Sequence, residues 1–458
     1  MGEIKMSMRP DKYDLTQGSI LSKLLQVAVP IMGSQLLQMS YNLADMFWLG
    51  RVGSDAVAAS GTGGMFLWLS VAFMMVGRMG AEIGVSQGLG RGDMHGAKRY
   101  AQNSLFLSIL LGVLFGVFII VLRTPLVGFF AIQEAHVAQQ ATEYLGIVGI
   151  GIPFTFITSA LIGCFNASGN SRTPFLINAV GLVLNMILDP LMIFTMDMGI
   201  AGAAWATIIA QIISCILLII AMLRGKNRPF ERFAFFIRPK MLYIRQILTW
   251  SVPIGLENML FTLMSMVTSR FVAGFGTNAM AVSRVGSQIE SLSWLIGGGY
   301  GSALTAFMGQ NYGAGKWTRI HEGFRLSTIT MLVYGLFITA VIFFGGGLLF
   351  SIFLPDPQII EMGAVYLRIL AICQIPQCFE SIAGSTFKGI GRTVPPSVVS
   401  ITSNVLRVFL AYLLSRTSLG LHGIWWGIAL TAVLRGMWGF VWYLISSRAM
   451  PKVDTTVA

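Results

Sequence analysis

The chain has 458 residues, of which 55% are hydrophobic and 11% charged, and its mean hydropathy is +0.74. Soluble domains carry roughly 25% charged residues, so this composition excludes a water-covered globule and makes lipid the solvent. The net charge of +12 does not indicate nucleic acid, because Lys and Arg recur in short clusters between apolar runs rather than along one stripe.

Met1 to Gly18 is polar and basic, and the apolar run that follows is too long for the h-region of a cleavable signal. Met6 is a second candidate start, so Met1 to Lys5 reads either as native sequence or as an added leader. A membrane-crossing helix needs roughly 20 apolar residues. Runs of that kind predict twelve spans, over 21–49, 57–86, 101–122, 138–165, 174–195, 201–223, 247–273, 277–308, 326–354, 362–388, 394–415 and 421–446. The second and eighth are the most polar, rich in Gly and Ser. The expected fold class is an all-α integral membrane protein with two six-helix lobes. Its divisions are an N-terminal segment (1–20), a first lobe (21–223), a basic inter-lobe loop (224–246), a second lobe (247–446) and a tail (447–458).

Orientation follows from the basic loops. Arg91, Lys98 and Arg99 follow span 2, Arg172 follows span 4, and seven Lys or Arg lie between Arg224 and Arg245. Lys316, Arg319 and Arg325 follow span 8, and Lys388 and Arg392 follow span 10. The alternate loops hold little besides Arg51, Arg123, Arg270, Arg368 and Arg416. Both termini are therefore expected on the cytoplasmic side of a plasma or bacterial inner membrane.

The halves repeat each other. Val29-Pro30-Ile31 recurs as Val252-Pro253-Ile254, and Gln87, Gly90 and Gly92 recur at the same offset as Gln310, Gly313 and Gly315. With small changes of offset, Tyr144-Leu145 meets Tyr366-Leu367, Pro153 meets Pro376, Pro174 meets Pro396, and Gly199, Gly202 and Trp205 meet Gly420, Gly423 and Trp426. An even number of spans per half puts equivalent helices in the same orientation, a parallel repeat enclosing a cleft. One chain supplies both lobes, so a monomer suffices.

Four features together resemble the multidrug and toxic compound extrusion (MATE) family. They are the run from Val29-Pro30 to Asp45, Gln87-Gly88-Leu89-Gly90-Arg91-Gly92-Asp93, Asn166-Ala167-Ser168-Gly169-Asn170 and Leu188-Asp189-Pro190. The likeness spans nearly the whole chain and is nearest to the DinF-like branch. It implies a cation-coupled antiporter that expels amphipathic, often cationic, organic compounds, with protons as the coupling ion and no cofactor. Na⁺ is the alternative ion, and a lipid-linked saccharide flippase of related architecture is a rival reading.

Carboxylates inside a membrane are expensive and functional by default. Asp45 lies near the outer end of span 1, and the resemblance makes it the key proton acceptor and a substrate-binding group. Asp189 shares a helix face with Asn185, four residues earlier, while Pro190 frees a carbonyl one turn back at Met186. A carboxylate, an amide and a loosened backbone suit a proton or Na⁺, and the resemblance adds Thr207 and Tyr144. Asp189 lies about 22 Å along its span at 1.5 Å per residue, a depth similar to that of Asp45. Protonation would change whether Asp45 can pair with an organic cation.

The second half has Thr268 where the first has Asp45. Its own charges are Glu257, Glu290, Glu380, Arg284, Arg407 and Arg435, read mainly as internal ion pairs. The NorM-like branch places a Na⁺ site on second-lobe acids, which keeps Glu257 and Glu380 as candidates. Arg284 falls opposite Gly61 in the repeat, so only the second lobe carries charge there. Arg78 and Glu82, four apart, read as a helix-surface pair.

No enzyme is expected: there is no Walker-type phosphate loop and no convergent nucleophile set. The four His show no metal-site spacing, so no metal is expected. Cys164, Cys215, Cys373 and Cys378 sit in apolar runs and read as core residues. The 26 Met and 31 Phe suit an adaptable apolar cavity.

Overall fold

The computed structural model describes residues 13–130, 134–235, 238–353 and 356–455. Met1 to Lys5 lies outside them. Every regular element among the described residues is helical. The first lobe comprises α1 (Ile20–Val52), α2 (Ser54–Gly90), α3 (Met94–Gly128), α4 (Ala135–Ala167), α5 (Arg172–Pro190) and α6 (Gly199–Arg224). The second comprises α7 (Met241–Ala273), α8 (Thr277–Gly313), α9 (Trp317–Ser351), α10 (Pro357–Ala371), α11 (Gln374–Gly389), α12 (Val394–Ser415) and α13 (Leu421–Arg448).

The repeat reappears as matched helix lengths. Helices α1 and α7 have 33 residues each, α2 and α8 37, and α3 and α9 35. Ten helices are long and apolar enough to cross a membrane on composition, and the bent pair α10–α11 makes an eleventh span. Helix α8 is the twelfth, matched to α2 in length but too polar to pass on composition alone. Large side chains such as Phe344, Leu348 and Val121 point outward, as lipid-facing residues must.

The span expected over 362–388 is two helices, inclined at 45° across Ile372 and Cys373. Pro376 has no N–H and cannot continue the ladder of the preceding turn. The carbonyl it leaves without a helical donor is that of Ile372, and at the bend Cys373 Sγ (2.9 Å) and Gln374 Nε2 (3.4 Å) donate to the Leu370 carbonyl. Its counterpart Pro153 lies within an unbroken α4. There the backbone of Gly112 and Gly116 packs against the proline, and the small residues let α3 brace the helix where it lacks a bond. Most other helices exceed their expected spans, and at the start of α3 a capping residue accounts for it. Asp93 accepts from Gly96 N (2.8 Å) and starts α3 seven residues early.

The lobes interlock through their first helices. Leu24, Val27, Ala28 and Ile31 of α1 are buried with Tyr300, Leu304 and Phe307 of α8 in the second lobe. Reciprocally, Ile247 of α7 packs with Val76 and Leu107 of the first lobe, and Ser251 Oγ donates to Val76 O (2.9 Å). At the end carrying the basic loops, α2 and α8 meet backbone to backbone. A Cβ at Gly90 would collide with the Gln310 carbonyl, and one at Gly313 with the Gln87 carbonyl. Only glycine permits this approach. At the opposite end, a Cβ on Gly50, Gly53, Gly61 or Gly276 would meet nothing within 4 Å. The hydrogen bonds that join helices of the two lobes among the described residues, at Gln87, Ser251, Ser302 and Gln310, all lie in the half nearer the basic end, so the cleft is closed there and open at the other end.

Candidate functional site

Three places in the molecule gather polar chemistry. The first lies in the outer part of the first lobe, between α1, α4, α5 and α6. Asp189 is completely buried, and its Oδ1 accepts from Asn185 Nδ2 (3.1 Å). Asp189 Oδ2 and Asn185 Oδ1 are buried without partners, as is Asp45 Oδ1. Asp189 lies within electrostatic range of Asp45, and Tyr41 and Tyr144 lie within range of both. Four residues singled out in the sequence, Asp45, Asp189, Asn185 and Tyr144, are thus brought together from three helices. Thr207 joins through its main chain, its carbonyl accepting from Tyr41 OH (3.4 Å). Unsatisfied buried oxygens of this kind are ready acceptors for a proton, a small cation or a cationic nitrogen.

Tyr144 is held by a steric seat. A Cβ on Gly63 of α2 would stand 2.7 Å from its ring. The second lobe repeats the seat with Gly286 and Tyr366. Tyr41 was not evident in the sequence as a member of the site. The available signal is its position four residues before Asp45, on the same face of α1. Tyr41 also borders a cavity of ≈ 110 Å³ whose other polar lining includes Ser34, Gln38, Asn178 and Gln211, all uncharged.

The second place is a cavity of ≈ 340 Å³ between the lobes, to which α1, α2, α7 and the second-lobe helices contribute. Three acids (Glu82, Glu257, Glu380) and three bases (Arg78, Lys388, Arg435) line it with Trp294 and Trp442. Arg78 and Glu82 form the expected pair (3.9 Å), but it is not on the helix surface. Glu82 is fully buried and accepts from Ser302 Oγ of the other lobe (2.5 Å). The six second-lobe charges do not pair off. Arg435 binds Glu380 (2.7 Å), while Glu257 accepts from Ser397 Oγ (3.1 Å) and Arg407 donates to Ser265 Oγ (2.8 Å). Glu290 faces Tyr366 OH and Gln374 Nε2, each at 3.5 Å. Arg284 is exposed and belongs to none of the ion pairs among the described residues. All four cysteines are buried and free.

The third is an exposed group at the open rim. Asp55, Glu134 and His136 bring one ligand atom each within 4.8 Å of one another, with His136 Nε2 2.6 Å from Asp55 Oδ2. Spacing along the chain did not reveal this grouping, because Asp55 lies on a different helix, 81 residues before His136.

The chain resembles known transporters over nearly its full length. It is 27% identical over 435 residues to a probable multidrug resistance protein NorM of Thermotoga maritima, covering 93% of this chain and 92% of that one. It is 25% identical to an FAD transporter of Shewanella oneidensis, covering 98% and 99%. Among solved structures, a MATE in a straight conformation superposes with a TM-score of 0.90 at 22% identity, covering 96% of this chain and 99% of that one. The MatE family profile matches residues 30–191 and 253–413, one block per lobe. A buried acid cluster beside an inter-lobe cleft, on a twice-repeated six-helix unit, therefore belongs to a member of the MatE family, the multidrug and toxic compound extrusion transporters.

Proposed function

We infer that this protein is a secondary active efflux transporter that exchanges protons for amphipathic organic cations by alternating access. The observation that carries the reading is the convergence of Asp45 and Asp189, with unpartnered buried oxygens, at the open end of the cleft. A carboxylate pair there can hold a cationic nitrogen when ionised and release it when protonated. Two carboxylates close together favour uptake of at least one proton. The N-lobe position of these acids supports placement in the DinF-like branch.

By the positive-inside rule the basic, closed end is cytoplasmic, so the termini are cytoplasmic and this conformation faces outward across the cell membrane. Asp45→Asn and Asp189→Asn test the assignment in proteoliposomes loaded with a fluorescent organic cation. Efflux driven by a pH gradient in wild type and lost in both variants supports it. Efflux driven by Na⁺ alone, indifferent to both variants, moves coupling to Glu257 and Glu380. That second reading is favoured by the electrostatic interaction of these two acids at the inter-lobe cavity. The flippase reading draws less support, because the three bases lining the cavity are equalled in number by three acids.

A further inference from the structure

The repeat allows the first-lobe acid site to be projected onto the second lobe residue by residue. The register is fixed by close contacts. Gly202 abuts Met192 and Ile193, and its mate Gly423 abuts Leu414 and Ser415. From 192 and 193 to 414 and 415 the step is 222, whereas from Gly202 to Gly423 it is 221. A π-helical turn at Leu191–Thr195, absent from α12, accommodates the extra residue. Positions before it keep the step of 222, so Asn185 projects onto Arg407 and Asp189 onto Ala411. On α1, Asp45 projects onto Thr268. The second lobe thus replaces two acids by neutral residues and the amide by a guanidinium. The equivalent region therefore holds two acids in the first lobe and one base in the second.

Arg407 is unusual among the charges of its lobe. It sits between α12 and α7, with Nη2 donating to Ser265 Oγ (2.8 Å) and its guanidinium 5.2 Å from the Phe261 ring centroid. Its Nε is buried and has no acceptor. None of the ion pairs among the described residues includes Arg407, and the charged group that acts on it is Arg435, another cation. Arg435, by contrast, is neutralised by Glu380. Phe261 leans on Trp294 (6.0 Å), which lines the inter-lobe cavity. A partly buried guanidinium with spare donors and no anion invites one. A guanidinium has five N–H donors, the one hydrogen bond given for Arg407 uses a single N–H of Nη2, and carboxylates and phosphates accept from the remaining edge in pairs.

We propose that Arg407, with Ser265 and the Phe261 face, is a subsite for the acidic group of an amphipathic solute. The subsite rests on the organic-solute reading above. The acidic group docks on α12 and α7 while the aromatic body lies against Phe261 and Trp294.

Tetramethylrhodamine, a zwitterion with a free carboxylate, and its methyl ester, a plain cation, differ only in the group at issue. Fluorescence anisotropy would measure both on the full chain in phosphatidylcholine nanodiscs, for wild type, Arg407→Ala and Arg407→Lys. The expected result is a loss of at least about tenfold in affinity for the acid in Arg407→Ala, the scale of one charge-assisted hydrogen bond. The ester should change by less than about twofold, which also shows that the variant is folded, and Arg407→Lys should fall between. Equal losses for both dyes, or none for the acid, overturn the subsite and leave the organic-solute reading standing. Failure of wild type to bind either dye overturns both. Repetition in phosphatidylglycerol nanodiscs separates the two sources of an acidic group. If the preference for the acid vanishes there, a net anionic lipid headgroup owns Arg407 and the solute assignment falls.

Discussion

Gln87 and Gln310 are mates in the repeat, and each reaches across to the other lobe. Gln87 Nε2 donates to Gly389 O (2.9 Å), and Gln310 Nε2 donates to Ala167 O (2.7 Å). The acceptors are themselves equivalent, each near the basic end of the helix that runs toward the next loop. The closed end is thus tied by a pair of identical bonds related by the pseudo-two-fold. A buried hydrogen bond contributes about 1 kcal/mol net. Gln87→Ala and Gln310→Ala should each raise the population open at the basic end by about fivefold. Spin labels at positions 94 and 392, both exposed, would report this as growth of a longer distance. An unchanged distance distribution in both variants would contradict the role.

The segment before α1 adds a second tie. Leu15 is fully buried in the second-lobe cluster, and its amide donates to Gln310 Oε1 (3.0 Å). Lys316 Nζ donates to Thr16 O (2.8 Å) and Arg319 Nη1 to Gly18 O (3.0 Å). On the other lobe, the Tyr13 carbonyl lies against Gly169. Leu15→Ala should cost about 3 kcal/mol through the cavity it leaves. Melting of the detergent-solubilised protein should move down by several degrees, with hydrogen exchange at 15–18 accelerated. Unaltered melting would show that the segment carries no load.

The acid pair makes a pH prediction with a definite sign. An ionised carboxylate attracts an organic cation and a protonated one does not, so cation affinity should fall as the pH is lowered. In Asp189→Asn that slope should flatten, because one of the two titrating groups is gone. Dye-binding titrations between pH 5 and pH 8 would show it; a slope identical to wild type would remove Asp189 from the binding step.

The tyrosine seat can be tested without touching a charge. Gly63→Ala places a methyl group within 2.7 Å of the Tyr144 ring, forcing the ring away from the acids. Transport of organic cations should fall by about tenfold or more, while the label distance across the basic end stays as in wild type. Retention of full transport would mean that the Tyr144 position is not required.

Within the second lobe, Glu380 and Arg435 form a largely desolvated pair, with side chains 27% and 7% exposed. Removing one partner of such a pair costs about 3–5 kcal/mol, because the other charge is stranded. Glu380→Gln should therefore lower the melting temperature sharply. The double variant Glu380→Gln with Arg435→Met should regain much of the loss, and strictly additive effects would argue against coupling.

The twelve spans, the repeat and the acid pair were all legible in the sequence. Lipid imposes a simple pattern, and equivalent motifs such as Gln87/Gln310 report each other. What was hidden depends on contacts between distant segments. Nothing local distinguishes Glu82 from a surface partner of Arg78 until Ser302 arrives from the other lobe. Tyr41 joins the acids only because α6 presents a carbonyl to it. The break between α10 and α11 was also illegible, since Pro153 and Pro376 give the same local signal and both have glycines of neighbouring helices packed against them.

That break makes the two halves mechanically unequal. An unbroken α4 transmits a push at one end to the other as a stiff rod. The α10–α11 elbow, held at its bend by side chains bonded to Leu370, can absorb the same push by flexing. If the lobes tilt against each other during turnover, deformation concentrates in the second lobe while the first carries its acid pair as a rigid cargo. The arrangement of the two acids would then be preserved through the stroke, and the compliance would lie in the lobe that carries Arg407.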